Sequence, residues 1–293
     1  FKYYNLFSFN EIFQQNFGQE IGYVLLNRLI GAFTDNGMYL GIVTSIIVLS
    51  LFFKEIRTYS TNVWFSIFMF VTIGDFYTSF NITRQIIAAG IIFSASKYLY
   101  ERKIFKYFVY IFLAALFHKT ALIMIIFYFI LTLKIEKRIL FLLTIIFTIT
   151  FIHINDLLMV IQKFFYSHYT AGSYGMTGYN YKNVILPIFI LIFVIIHISK
   201  LDQNDIKIRV WINAIIYYAF FSILGLKVQM IQRLAFFFSP YVLLIVPKII
   251  TSVRNKNERL FYLILAIFFF FLYNFLALQG TGYDPYYFIW QSM

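Results

Sequence analysis

Long apolar stretches alternate along this chain with short tracts that hold most of its charge. The stretches run approximately over 37–53, 62–80, 84–100, 105–118, 119–133, 139–155, 183–199, 210–226, 233–250 and 260–278. A helix rises 1.5 Å per residue and a bilayer core is about 30 Å thick, so segments of this length predict membrane-crossing helices. The predicted fold is all-α, a polytopic integral membrane helical bundle of about ten spans, some short or broken. The 105–133 region is long for one span and short for two, and it predicts two short helices meeting at His118-Lys119.

Three regions follow from the same pattern. Residues 1–36 are the most polar part of the N-terminal half, with Glu11, Glu20 and Asp35, and carry an apolar stripe at Tyr23, Leu26 and Ile30. That spacing predicts a short helix lying in the membrane interface of an extracytoplasmic segment. Residues 37–278 form the bundle, with an outer loop over 156–182, and residues 279–293 form an extracytoplasmic tail. The chain opens on Phe rather than Met, which predicts a piece of a longer protein.

Composition agrees with the pattern: 61% of residues are hydrophobic, 12% are charged, and the mean hydropathy is +0.79. A soluble domain would carry about twice that charge. Cysteine is absent, so no disulfide, thiolate nucleophile or cysteine-ligated metal arises. The net charge of +12 invites a nucleic-acid partner, but the basic residues lie in tracts between apolar spans, where membrane topology places them. One set of tracts holds Lys54, Arg57, Lys97, Arg102, Lys103, Lys106, Lys134, Lys137, Arg138, Lys200, Lys207, Arg209, Lys248, Arg254, Lys256 and Arg259. The other holds half as many: Lys2, Arg28, Arg84, Lys119, Lys163, Lys182, Lys227 and Arg233. The positive-inside rule makes the first set cytoplasmic. No cytoplasmic loop is long enough for a nucleotide-binding domain, and neither G-x-x-x-x-G-K nor D-x-D occurs, so no cofactor is implied.

Ionisable residues at membrane depth default to functional candidates, and each also has a plainer reading. Arg84 follows the turn between two spans, within Asn81-Ile-Thr-Arg-Gln85, and precedes Ala88, Ala89, Gly90, Ser94 and Ala95, small residues that allow close helix packing. It either snorkels to the interface as an anchor or points into the bundle, with Asp75 on the preceding helix as its expected ion-pair partner. His118 and Lys119 interrupt an apolar run, as a packing pair or as a group that binds an anion or moves a proton. Arg233, preceded by Lys227 and Gln229, is a span anchor or an anion ligand. The 156–182 loop carries Tyr166, Tyr169, Tyr174, Tyr179 and Tyr181, an interfacial aromatic belt or a set of rings for stacking on sugars. No spacing of metal-ligand type is present, and no metal site is expected.

Three segments carry a family resemblance: EIGYVLLNRL over 20–29, TRQIIAA over 83–89 and LAALFHKTAL over 113–122. With them the chain resembles the EpsG family of bacterial exopolysaccharide and capsule biosynthesis proteins, which are Wzy-like repeat-unit polymerases. The specific likeness spans about residues 20–130; beyond it stand the span count, Arg233 and Tyr286-Tyr287. The resemblance implies a multi-pass protein of the bacterial plasma membrane that joins polyprenyl-diphosphate-linked oligosaccharide repeat units by glycosyl transfer at the outer face. Its implied partners are that lipid-linked substrate, membrane lipid and other polysaccharide-assembly membrane proteins. On this reading Glu20, with His118 second, is the base that deprotonates the accepting hydroxyl. Arg84, Gln85, Lys119, Arg233, Tyr174 and Tyr179 are the substrate-binding set. A transporter or flippase of lipid-linked glycans is the alternative, which predicts charges along a path through the bilayer and internal repeats. Here the unusual polar residues gather at one face, and no repeat is evident.

Overall fold

A computed structural model describes residues 20–134, 137–154, 156 and 181–279. All regular structure among them is helical. Five segments are long and apolar enough to cross a membrane: Met38–Tyr59, Lys182–Lys200, Ile206–Leu224, Met230–Ser252 and Lys256–Leu278. The pair Val63–Thr72 and Asp75–Asn81, bent by 48°, makes a sixth if taken as one span. The other predicted stretches are helical but shorter, so the ten apolar stretches resolve into full-length crossings and half-length helices.

In chain order the helices used below are α1 (Ile21–Gly31), α2 (Met38–Tyr59), α3 (Val63–Thr72), α4 (Asp75–Asn81), α5 (Thr83–Ser94), α6 (Ser96–Tyr100), α7 (Ile104–Ala115) and α8 (Met124–Leu131). They continue with α9 (Lys137–Ile152), α10 (Lys182–His197), α11 (Ile206–Leu224), α12 (Gln229–Gln232), α13 (Val242–Ser252) and α14 (Lys256–Leu278). Side chains set several of the starts. Asn62 accepts from the Phe65 N–H at 3.1 Å to open α3, Asp205 accepts from Lys207 N–H at 2.9 Å to open α11, and Asn255 accepts from Asn257 N–H at 2.9 Å to open α14. Gly74, at φ 96°, supplies the left-handed residue that separates α3 from α4.

The core forms around α5, whose residues Gln85 to Ser94 are all buried. The small-residue stripe read from the sequence explains this position. A Cβ on Gly90 would lie 3.1 Å from side-chain atoms of both Leu51 and Phe52, so α2 and α5 approach as closely as glycine permits. By contrast α14 buries one side chain, Phe270, and exposes Leu260, Phe261, Ile264, Phe268, Phe271 and Phe275, the surface of a helix facing lipid.

The alternation of basic and non-basic tracts closes in three dimensions. At one end, Arg102 donates to the Thr132 hydroxyl at 2.6 Å, and Asn213 donates to the carbonyls of Leu131 and Leu133 at 2.8 and 2.9 Å. There Trp211 also donates to the Tyr100 hydroxyl at 2.8 Å, and the Thr251 hydroxyl meets that of Thr61 at 3.0 Å. These residues adjoin the tracts assigned to one side by charge. The Arg102–Thr132 contact closes a hairpin of α7 and α8 whose tip, at the opposite end, is His118-Lys119, as the 105–133 pattern predicts.

Candidate functional site

The tip of that hairpin meets the segment before α1. Helix α7 ends at Ala115, and His118 adopts extended backbone, φ −156° and ψ 112°, before a 3-10 turn over Lys119–Ile123. Gly22 N–H donates to the carbonyl of Leu116 at 2.8 Å. A Cβ on residue 22 would stand 2.7 Å from that oxygen, so only glycine lets α1 press so close to the tip. The contact also fixes the rotation of α1. Its buried residues are Val24 and Asn27, while Tyr23, Leu26 and Ile30, the apolar stripe read from the sequence, stay partly exposed.

Glu20, at the N-cap position of α1, is thereby carried to His118 and Arg84. Its Oε2 accepts from Nη1 of Arg84, and its Oε1 faces Nδ1 of His118 at 3.1 Å. The backbone N–H of Lys119 approaches the same Oε1 at 3.4 Å. Burial would raise the Glu20 carboxyl, but the His118 hydrogen bond, a backbone N–H and the charges of Arg84 and His118 outweigh it. The pKa falls from an ordinary 4.5 to about 2. A carboxylate this well satisfied is a poor proton acceptor and a good orienting group. In the neutral ring, with Nδ1–H donating to Glu20, the remaining nitrogen of His118, Nε2, carries the lone pair. Nε2 is buried and has no hydrogen-bond partner among the described residues. Two other polar atoms of these segments are in the same condition, Oγ1 of Thr120 and Oε1 of Gln85.

Arg84 differs from its two partners in exposure. Its side chain is 36% accessible, against 11% for Glu20 and 16% for His118. One guanidinium nitrogen is engaged by Glu20, the group lies 5.8 Å from the centre of the Tyr23 ring, and its other N–H groups have no hydrogen-bond partner among the described residues. Arg84 is therefore held from below and open from above. Next to it, the Gln85 amide donates to the main-chain carbonyl of Arg233 and ties the N-terminal end of α5 to the 3-10 turn over Arg233–Phe237. The side chains of Arg233 and Lys119 are exposed and form no ion pair among the described residues.

Of the sequence-predicted set, the structure brings Glu20, His118, Lys119 and Arg84 together and joins Arg233 to them through Gln85. Tyr174 and Tyr179 lie outside the described residues. The expected Asp75–Arg84 pair is not formed. Asp75, just past the Gly74 turn, is buried and takes its hydrogen bonds from the Ser239 hydroxyl at 3.3 and 3.4 Å, while Arg84 turns to Glu20. The neighbour along the chain lost to one 64 residues away because the left-handed turn at Gly74 starts α4 with Asp75 directed at the core. Tyr23 and Gly22 are contributors to which the sequence reading gives no site role: Tyr23 reads as part of the apolar stripe, and Gly22 lies unremarked within the 20–29 segment.

The model of the EpsG family matches residues 1–288 of the chain. Comparison with curated proteins and with solved structures gives no match.

Proposed function

This chain belongs to the EpsG family and is an exopolysaccharide-related membrane protein, and we propose that it polymerises polyprenyl-diphosphate-linked oligosaccharide repeat units by glycosyl transfer at the outer face of the bacterial plasma membrane. The observation that carries this reading is the Glu20–His118–Arg84 cluster, a proton acceptor and an open guanidinium held by one carboxylate.

In the proposed step, a hydroxyl of the incoming unit attacks the anomeric carbon of the sugar at the reducing end of the growing chain. The new C–O bond forms as the bond from that carbon to the diphosphate breaks, and polyprenyl diphosphate leaves with the bonding pair. Nε2 of His118 takes the hydroxyl proton. Glu20 fixes the tautomer that leaves Nε2 free and stabilises the imidazolium that results, the part a carboxylate plays behind a histidine base. Glu20 is thus a positioning residue, and the base role expected of it passes to His118.

Arg84 binds the diphosphate. Its unengaged N–H groups match phosphate oxygens, and neutralising the charge that develops on the leaving group lowers the barrier to its departure. Lys119 and Arg233 add positive charge at the rim, and Gln85 acts through the Arg233 backbone. A lipid-linked donor carries its own activated bond, which suits a chain in which no nucleotide-binding motif is found. The outward placement of this cluster is part of the proposal, supported by the sixteen basic residues of the opposite set of tracts. The test is incubation of the purified protein with its lipid-linked repeat unit. A ladder of polymer lengths is expected from the wild type and not from His118→Gln, and a wild type that only moves the unit across a bilayer would favour the flippase reading.

A further inference from the structure

At the basic end, far from the cluster just described, a cavity of about 270 Å³ opens between the start of α3, the end of α13 and the first turns of α14. Its lining is Asn62, Ile250, Thr251, Lys256, Arg259, Leu260 and Leu263.

The chemistry of this lining is one-sided. Lys256 and Arg259, one helical turn apart, reach the cavity from the same face of α14, and neither forms an ion pair among the described residues. Asn62 spends its side-chain oxygen on the Phe65 N–H at 3.1 Å, so only its amide N–H₂ is left to offer. The Thr251 hydroxyl is already engaged, with the Thr61 hydroxyl at 3.0 Å and the Pro247 carbonyl at 2.9 Å. Among the described residues no carboxylate lines the space, and Glu258 of this stretch is not part of the wall. One free amide N–H₂ and two positive charges thus converge where an oxyanion would satisfy all of them.

The rest of the wall is apolar and continuous with a lipid-facing surface. Leu260 is 57% exposed, and beyond it Phe261, Ile264 and Phe268 continue the exposed side of α14. An occupant that uses both parts has an anionic head and hydrocarbon tails. A free phosphate would satisfy the donors and leave the apolar wall wet, and an acidic peptide would supply the counter-charge without hydrocarbon to continue along the exposed apolar side of α14. We propose that this cavity binds the headgroup of an anionic phospholipid, whose acyl chains lie along α14. Basic pockets between membrane helices bind anionic headgroups by this division of labour. The site is separate from the polymerase reading and stands whatever reaction the protein performs.

The test uses the full chain in detergent, with thermal unfolding followed during titration with phosphatidylglycerol, with phosphatidylcholine of the same chains and with inorganic phosphate. Phosphatidylglycerol is expected to raise the unfolding midpoint well above the effect of the other two. Lys256→Gln with Arg259→Gln should weaken that response about thirtyfold in lipid concentration, from the value of a basic residue at an anionic surface. Leu260→Glu, which keeps both cations and sets a carboxylate against the apolar wall, should remove it as well. Lys200→Gln with Lys207→Gln, cations of the same end outside the cavity, should leave it intact. An equal response to phosphatidylcholine, an equal response to inorganic phosphate alone, or a full response in the Lys256/Arg259 variant would each overturn the proposal.

Discussion

The two ends of the bundle handle charge in opposite ways. At the Glu20 end one carboxylate, largely covered, is shared between Arg84 and His118, which are held in place by it. At the other end the basic residues are many, and among the described residues Lys103 pairs with Glu101 at 2.7 Å while further contacts are with a hydroxyl and rings: Arg102 with Thr132, Lys97 over Tyr98 at 4.7 Å, Lys207 over Tyr59 at 5.7 Å. The lesson is that charge count marks topology, whereas charge pairing marks a site. Sixteen basic residues spread over one set of tracts point to topology, whereas three ionisable side chains locked to one another point to a candidate site.

The comparison breaks most visibly if the ends are assigned to the wrong sides. Cysteine placed at Asn36, exposed near the Glu20 end, should react in whole cells with a membrane-impermeant thiol reagent, and cysteine at Asn204, exposed among the basic tracts, should not. The chain has no cysteine of its own to confuse the result. Labelling at Asn204 alone in sealed cells would move the cluster to the cytoplasm and end the proposed reaction.

Next in size is the proton-transfer pair. His118→Gln should insert and express normally while polymerisation falls by about a hundredfold to ten-thousandfold, the usual contribution of general-base catalysis. Glu20→Gln should lose a similar amount, because an amide that donates toward Nδ1 favours the wrong tautomer. Near-normal chain length from His118→Gln beside a dead Glu20→Gln would return the base to Glu20.

Arg84→Lys sharpens the distinction between a gripping and an anchoring cation. Lysine snorkels as well as arginine but lacks the planar fork that can hold Glu20 with one nitrogen and phosphate with the others. A lost charge-assisted hydrogen bond is worth roughly 1.5–3 kcal/mol, so turnover should fall about tenfold to a hundredfold at matched expression. Arg233→Lys should do less, since the exposed guanidinium of Arg233 has no carboxylate holding it in place. Full polymer yield from Arg84→Lys would make it an anchor.

The smallest effect is on stability. Because the folded pKa of Glu20 lies below its ordinary value, the carboxylate stabilises the fold fully above about pH 4.5 and loses that contribution as pH falls toward 2. The gap in unfolding midpoint between wild type and Glu20→Gln, measured in detergent, should hold steady from pH 7 to 5 and shrink below pH 4.5. A gap that stays constant down to pH 3 would mean the carboxylate is not held by its cations.

How far the sequence reaches can be seen in α5 and α14. Both are apolar, and hydropathy alone predicts both as helices in a membrane. It cannot rank them, because lipid tails are as apolar as a protein interior and the hydrophobic effect does not distinguish the two surroundings. Side-chain size did distinguish them: Ala88, Ala89 and Gly90 read as close packing and are buried, while Phe261, Phe268, Phe271 and Phe275 of α14 face outward. The break at His118 and the choice of Arg84 and His118 as residues to explain were legible too, because a charge or a histidine among apolar residues stands out, whereas Glu20, in a polar segment, is picked out by the family resemblance.

Which of those residues meet was settled only by the tertiary fold. Sequence proximity favoured Asp75 for Arg84, and that pair gave way to Glu20 against Arg84, 64 residues apart. Periodicity gave α1 its apolar stripe of Tyr23, Leu26 and Ile30, but which of its residues are buried was set by Gly22 against Leu116. Local pattern fixes a helix and its apolar residues because those depend on neighbours along the chain. Rotation about the helix axis, and with it the partner of each charge, depends on which backbones can approach, and that is known only when both helices are in place.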